Sequence, residues 1–219
     1  MYVCGVPKDV ASLHRILELD RLTFGDDALL SKDNACAIFA KRPEVYCGVF
    51  RNDSSVAAYM DIYPLRRSAA TQLIDGRISE ADLSPDMMLG REEDHHDCCI
   101  YLGSLAADGS IDPATRKVLI GALLSWRLRQ FARLGLPRIQ VVMIPVSPEG
   151  EDLSRRFGAD KISSARNRKD HHDLYSLTLT PKSAELLISK LYPHQRHDEL
   201  VQMDFDFEPS LDEVVHGAS

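Results

Sequence analysis

Hydrophobic spacing along the chain divides it into recognisable elements. After Tyr2-Val3-Cys4-Gly5, which reads as a short edge strand, Pro7-Lys8-Asp9 opens a stretch in which Val10, Leu13, Ile16, Leu17 and Leu22 recur every three or four residues. That spacing is one face of an α-helix. A second helix follows, with Ser31 or Asp33 as its cap and Ala35, Ile38 and Phe39 turned inward. Val45 to Phe50 reads as a strand, Arg51 to Ser54 as a hairpin turn, and Ser55 to Leu65 as the returning strand. Residues 66–97 lose this order. They are charged, Asp75-Gly76 marks a turn, Ser79 to Leu83 suits a short helix, and Arg91 to Asp97 is almost wholly polar. A connection of that length in a compact domain is expected to be a functional lid or a disordered segment.

The second half alternates. Cys98 to Ala107 reads as a strand, Pro113 to Leu134 as a long amphipathic helix stopped by Gly135, and Arg138 to Val146 as a β-branched strand. Pro148 to Phe157 is a shorter helix and Leu174 to Leu179 a last strand. This order predicts an α/β sheet with at least one parallel crossover. Pro181 to Leu191 suits one more helix, and residues 192–219, with Asp204, Asp206, Glu208, Asp212 and Glu213, read as an acidic, partly mobile tail. The expected division is a main domain over 1–180 and an appendage over 181–219.

Composition narrows the function classes. The formal charge of -7 disfavours a nucleic-acid binder, which needs excess Lys and Arg against phosphate. No run is long and apolar enough for a bilayer, and the first residues lack the basic-then-apolar order of a secretory signal. Five cysteines without regular spacing suggest reduced thiols and a cytoplasmic setting.

One segment carries candidate chemistry. In Asp112-Pro113-Ala114-Thr115-Arg116-Lys117-Val118-Leu119-Ile120-Gly121, Asp112 is a good N-cap and Pro113 suits the first helical position. Arg116 and Lys117 add positive charge to a helix start whose N–H groups favour anions. Gly121 would allow close approach of a ligand or backbone.

Pro113, Arg116 and Gly121, followed by Leu123-Leu124, resemble the pyrophosphate-binding segment of the GNAT acetyltransferase superfamily, with Leu119 where that pattern has its first glycine. Leu102 to Ala107 is similar to that family's fourth strand, although Asp108-Gly109-Ser110 lengthens the loop after it. Ser147, Gly150, Ser154 and Gly158-Ala159 stand where the family often has Asn, Ala, Tyr and Gly-Phe.

The resemblance implies an α/β GNAT acyl-CoA N-acyltransferase fold, with a mixed sheet of about six to seven strands flanked by helices. It implies acetyl-CoA as co-substrate, held by Leu105, Ala106, Ala107, Arg116, Lys117, Val118, Leu119, Ile120, Gly121 and Ser147. It also implies an amine acceptor, on a small molecule or a protein, that takes the acetyl group. Ser154 falls at the position of the family's Tyr acid, although a hydroxyl is a far weaker acid than a phenol. Tyr101 falls at the position of its Glu base.

From the residues alone, Tyr101 is either a proton relay or an aromatic packing residue. Asp61, an acid between Tyr59 and Tyr63, is either a buried base with a raised pKa or part of a solvated strand face. Strict alternation puts Tyr101, Gly103 and Leu105 on one face of their strand. His95-His96-Asp97-Cys98-Cys99 has zinc-ligand types but not zinc-ligand spacing, so no metal is expected. Lys169 to Asp173 reads as a polar hairpin loop, and Trp126 as packing. A homodimer fits this class. The altered family positions leave a second reading open: a CoA-binding or regulatory module with little turnover.

Overall fold

The computed structural model describes residues 1–25, 30–90, 99–133, 136–191 and 200–204. The first strand, β1 (Tyr2–Gly5), leads into helices α1 (Val10–Phe24) and α2 (Lys32–Lys41). Each helix begins where a short polar side chain can satisfy its orphan N–H groups. The Asp9 carboxylate accepts from the Ser12 amide at 2.7 Å, and the Ser31 hydroxyl accepts from the Asn34 amide at 3.2 Å. Of the two cap candidates for α2, Ser31 is the one used. Val10 and Leu22 follow the helical period of α1 but lie exposed.

The antiparallel hairpin forms as expected, β2 (Tyr46–Arg51) with β3 (Val56–Leu65). Within the charged connection the chain builds α3 (Arg67–Ile74), which buries Ala69, Ala70 and Leu73. A 3-10 turn follows at Glu80–Asp82, inside the stretch read as a short helix, and another at Pro85–Met87. Residues 91–98, which include His95, His96, Asp97 and Cys98, lie outside the described residues.

Next come β4 (Cys99–Ala107), α4 (Pro113–Arg133), β5 (Ile139–Met143) and α5 (Pro148–Arg156). β4 and β5 pair in parallel across the α4 crossover, as the alternation predicts. The described residues then form β6 (Asp160–Ser163), β7 (Leu174–Leu179), α6 (Pro181–Leu191) and β8 (Val201–Met203). The eight strands of the described residues make one mixed sheet in the order β6-β7-β5-β4-β3-β2-β1-β8.

Two expectations change here. β1 is not an edge strand, because β8 pairs with it in parallel, Tyr2 opposite Val201 and Cys4 opposite Met203. Val201 to Met203, expected within a tail, is therefore sheet. The Trp126 indole ties this segment down by donating to the Asp204 carbonyl at 2.7 Å.

Helices cover both faces of the sheet. α1, α2 and α3 pack on the face carrying Tyr46, Tyr59, Tyr63 and Tyr101. α4 packs on the opposite face through Leu119, Leu123 and Trp126, and α6 lies against α4. Among the described residues no helix is long and apolar enough to cross a membrane.

Candidate active site

The centre of the site is an irregularity in β4. Met60 pairs with Leu105 while Ile62 pairs with Leu102, so Gly103 and Ser104 together oppose Asp61. This is a β-bulge with its extra residue on β4, a device that re-aims side chains. It corrects the strict alternation expected for this strand. Tyr101 and Gly103 face the tyrosine side, but Leu105 lies with Leu102 and Ala107 on the α4 side.

The bulge gathers buried carboxyl groups. Asp61 is 3% exposed, and its Oδ1 accepts from the Ser104 amide at 2.6 Å. Burial pushes its pKa well up, and the nearby Glu80 and Asp20 carboxylates push it further. Glu80 comes from the 3-10 turn, with its carboxyl end inward, and accepts from the Tyr101 hydroxyl at 2.7 Å. Burial raises Glu80 to about 7, against the lowering effect of that hydrogen bond. Asp20 of α1, also buried and raised by desolvation, accepts from the Tyr59 hydroxyl.

Gly103 makes this convergence possible. A Cβ there would run into the Asp61 carboxylate and lie 2.7 Å from the Tyr63 ring. Tyr63 stacks on Tyr101 with ring centroids 5.9 Å apart, fixing the phenol that bridges to Glu80.

The turn bearing Glu80 is held from the other side. The Arg168 side chain is fully buried, pairs with Asp170 at 2.6 Å and donates to the Leu73 carbonyl at 2.8 Å. The Lys169 ammonium pairs with Asp82 at 2.8 Å. Thus the loop between β6 and β7, a polar hairpin as expected, also braces the connection that carries the acid.

Beside this cluster the sheet forks. β4 pairs with β5 only from Cys99 to Leu102, β5 ends at Met143, and Gly103 to Ala107 have no strand partner on that edge. α4 starts above the fork. Its N-terminus is already capped: Asp112 Oδ1 accepts from the Ala114 and Thr115 amides at 3.1 and 3.0 Å. From Lys117 onward the amides lie inside the helix, where intrahelical bonds use them. What this turn offers an anion is therefore side chains. Lys117 is exposed, and the buried Arg116 Nε has no hydrogen-bond partner among the described residues.

The remaining sequence candidates scatter. Val118 and Ile120 are half-buried, and Leu119 lies wholly in the core between α4 and the sheet. Gly121 is buried under α6, where a Cβ would stand 3.4 Å from the Leu191 carbonyl. Ser147 caps α5 by accepting from the Gly150 amide at 3.1 Å, and Ser154 donates to the Gly150 carbonyl at 2.8 Å. Both hydroxyls serve α5 itself.

Among solved structures, the loading GNATL domain of CurA from Lyngbya majuscula matches 83% of this chain and 98% of its own, with a TM-score of 0.58 and 14% identity. The fold is that of the GNAT acetyltransferases. An N-acetyltransferase from Staphylococcus aureus Mu50 matches 83% of this chain and 99% of its own, at TM-score 0.53 and 14% identity. The NatC complex bound to Gag peptide and CoA includes a chain that matches at TM-score 0.53 and 13% identity, covering 82% of this chain and 98% of that one. No family model matches the sequence, and no curated protein does either. The GNAT likeness thus lies in the fold, with eight strands here against the six to seven expected.

Within that GNAT frame the residue that sequence reasoning missed is Glu80. It sits in a charged stretch where neither periodicity nor a motif separates it from solvated acids. The local signal was Ser79 with Asp82, a reciprocal cap that fixes the turn. It predicts the turn but not which side chain the turn aims inward.

Proposed function

We propose that this protein transfers an acyl group, in the simplest case acetyl from acetyl-CoA, to an amine. The observation that carries the reading is the meeting of Asp61, Glu80 and Tyr101 at the β4 bulge, beside the fork between β4 and β5.

The co-substrate would enter along the unpaired edge of Leu105, Ala106 and Ala107. Arg116 and Lys117 would meet its phosphates through side chains, and the orphaned Arg116 Nε fits that part. When bound, acyl-CoA supplies a thioester carbonyl at the fork. The acceptor amine nitrogen forms a bond to that carbonyl carbon, the carbon–sulfur bond breaks, and CoA leaves as a thiolate. Glu80 takes the proton released by the amine, because a carboxyl near 7 is partly ionised at neutral pH and basic enough to hold it. Tyr101 holds the Glu80 carboxyl in place. The amine reacts in its neutral form, so the single proton it releases on acylation is the one that Glu80 takes.

The test is binding followed by turnover. Acetyl-CoA at about 100 times its Kd is expected to add about 2.7 kcal/mol of stability, visible as a rise in Tm. Arg116→Glu with Lys117→Glu should abolish that rise. CoA release with a panel of mono- and diamines should then be time-dependent and lost in Glu80→Gln. A Tm rise with no thiol release from any amine would instead support the regulatory reading, which the engaged Ser147 and Ser154 hydroxyls favour. No rise at millimolar acetyl-CoA would end the acyl-CoA reading.

A further inference from the structure

Beneath the fork, on the α4 side of the sheet, lies a cavity of about 100 Å³. Protein interiors are close-packed, and an unfilled space of this size costs stability. Its walls include Leu102 and Met143, the last paired rung of β4 and β5, so it begins where the strands part. Ile62, Leu128, Phe131 and Val141 continue the lining. The surface they present is almost wholly carbon. Arg127 also borders the space, but its guanidinium donates away from it, to the Val45 carbonyl at 2.7 Å and Gln130 at 3.1 Å. Arg127 Nε is buried without a hydrogen-bond partner among the described residues, and the rest of what Arg127 gives the wall is its methylene stem.

We infer that this cavity is an acyl-chain pocket, and that the preferred donor is a neutral, linear acyl-CoA of about four to six carbons rather than acetyl-CoA. The inference rests on the acyl-CoA reading above and deepens it. The position follows from the fork, since a thioester held beside Gly103 to Ala107 has its acyl carbon next to Leu102 and Met143. The length follows from the volume. An apolar cavity of about 150 Å³ accepts benzene, six carbons, so about 100 Å³ accepts roughly four beyond the carbonyl. The polarity follows from the lining, which apart from Arg127 consists of apolar side chains. Each buried methylene is expected to tighten binding about fourfold.

The experiment measures Kd by calorimetry for CoA and for its acetyl, butyryl, hexanoyl, decanoyl and succinyl thioesters. Affinity should climb from acetyl to hexanoyl by on the order of 100-fold, stop climbing at decanoyl, and show no gain for succinyl over acetyl. Val141→Phe, which fills the pocket, should erase the gain for hexanoyl while leaving the Kd of CoA unchanged. Phe131→Leu, which enlarges it, should move the optimum to a longer chain. A flat series in which CoA itself binds would overturn the pocket and leave the cofactor reading standing. A preference for succinyl over butyryl would overturn its apolar character. Failure of every thioester and of CoA would remove the cofactor reading and the pocket with it.

Discussion

Glu80 and Asp61 are the same chemical group in two settings, and the roles proposed for them differ accordingly. Glu80 reaches about 7 because burial outweighs its bond from Tyr101, whereas Asp61 is pushed up by burial and by the carboxylates facing it. A carboxyl raised in the folded state binds its proton more tightly there than in the unfolded chain. Its contribution to stability is therefore complete below the unfolded value and is lost as pH rises through about 7. Activity should run the other way, because the base must be ionised. In wild type, kcat/KM should rise through about pH 7 while Tm falls, and in Glu80→Gln both slopes should flatten. Parallel pH profiles of rate and Tm check this, and an unchanged rate limb in the variant would remove Glu80 as the base. Asp61 was legible in the sequence because an acid between two strand tyrosines is conspicuous. Glu80 was not, because an acid in a charged connection looks like any other until the turn is folded.

At the scale of elements, long periodic segments were legible and short ones were not. α1, α2, α4 and α5 announce themselves through spacing and caps, each carrying its own local signal. α3 has only Ala69, Ala70 and Leu73 to bury among charges, so its helicity depends on tertiary packing. The β4 bulge leaves no mark in one dimension either, yet it decides which side chains of β4 meet Asp61. The loop between β6 and β7 gives a test at this scale. Arg168→Met would leave Asp170 without its ion pair and free the carbonyls at the end of α3. The expected cost is about 2–3 kcal/mol, or roughly 5–10 °C in Tm for a chain of this size. Because the same loop braces the turn bearing Glu80, KM for the amine should rise as well. A stability loss with unchanged kinetics would mean that the loop holds the fold but not the site.

On the scale of the molecule, the sheet is completed by residues far apart in sequence. The alternating second half and the leading helices made an α/β sheet legible, but the place of β8 was not, since three residues carry no period. Its anchor is the bond from Trp126 to Asp204. Trp126→Phe keeps most of the buried ring and removes the donor. It should cost about 1 kcal/mol and expose the amides of Val201 to Met203 to faster hydrogen exchange, measured by mass spectrometry. No change in exchange there would mean that pairing with β1 suffices.

The pairing of β1 with β8 also bears on how the protein is made. During synthesis β1 emerges almost two hundred residues before β8, and its outer edge stays open until Val201 to Met203 have left the ribosome. Over that interval the nascent chain exposes an unpaired strand edge, a template for pairing with other chains. Folding while still attached to the ribosome can seal the tyrosine face and the hairpin early. Closing that edge falls to three residues that arrive almost two hundred positions late.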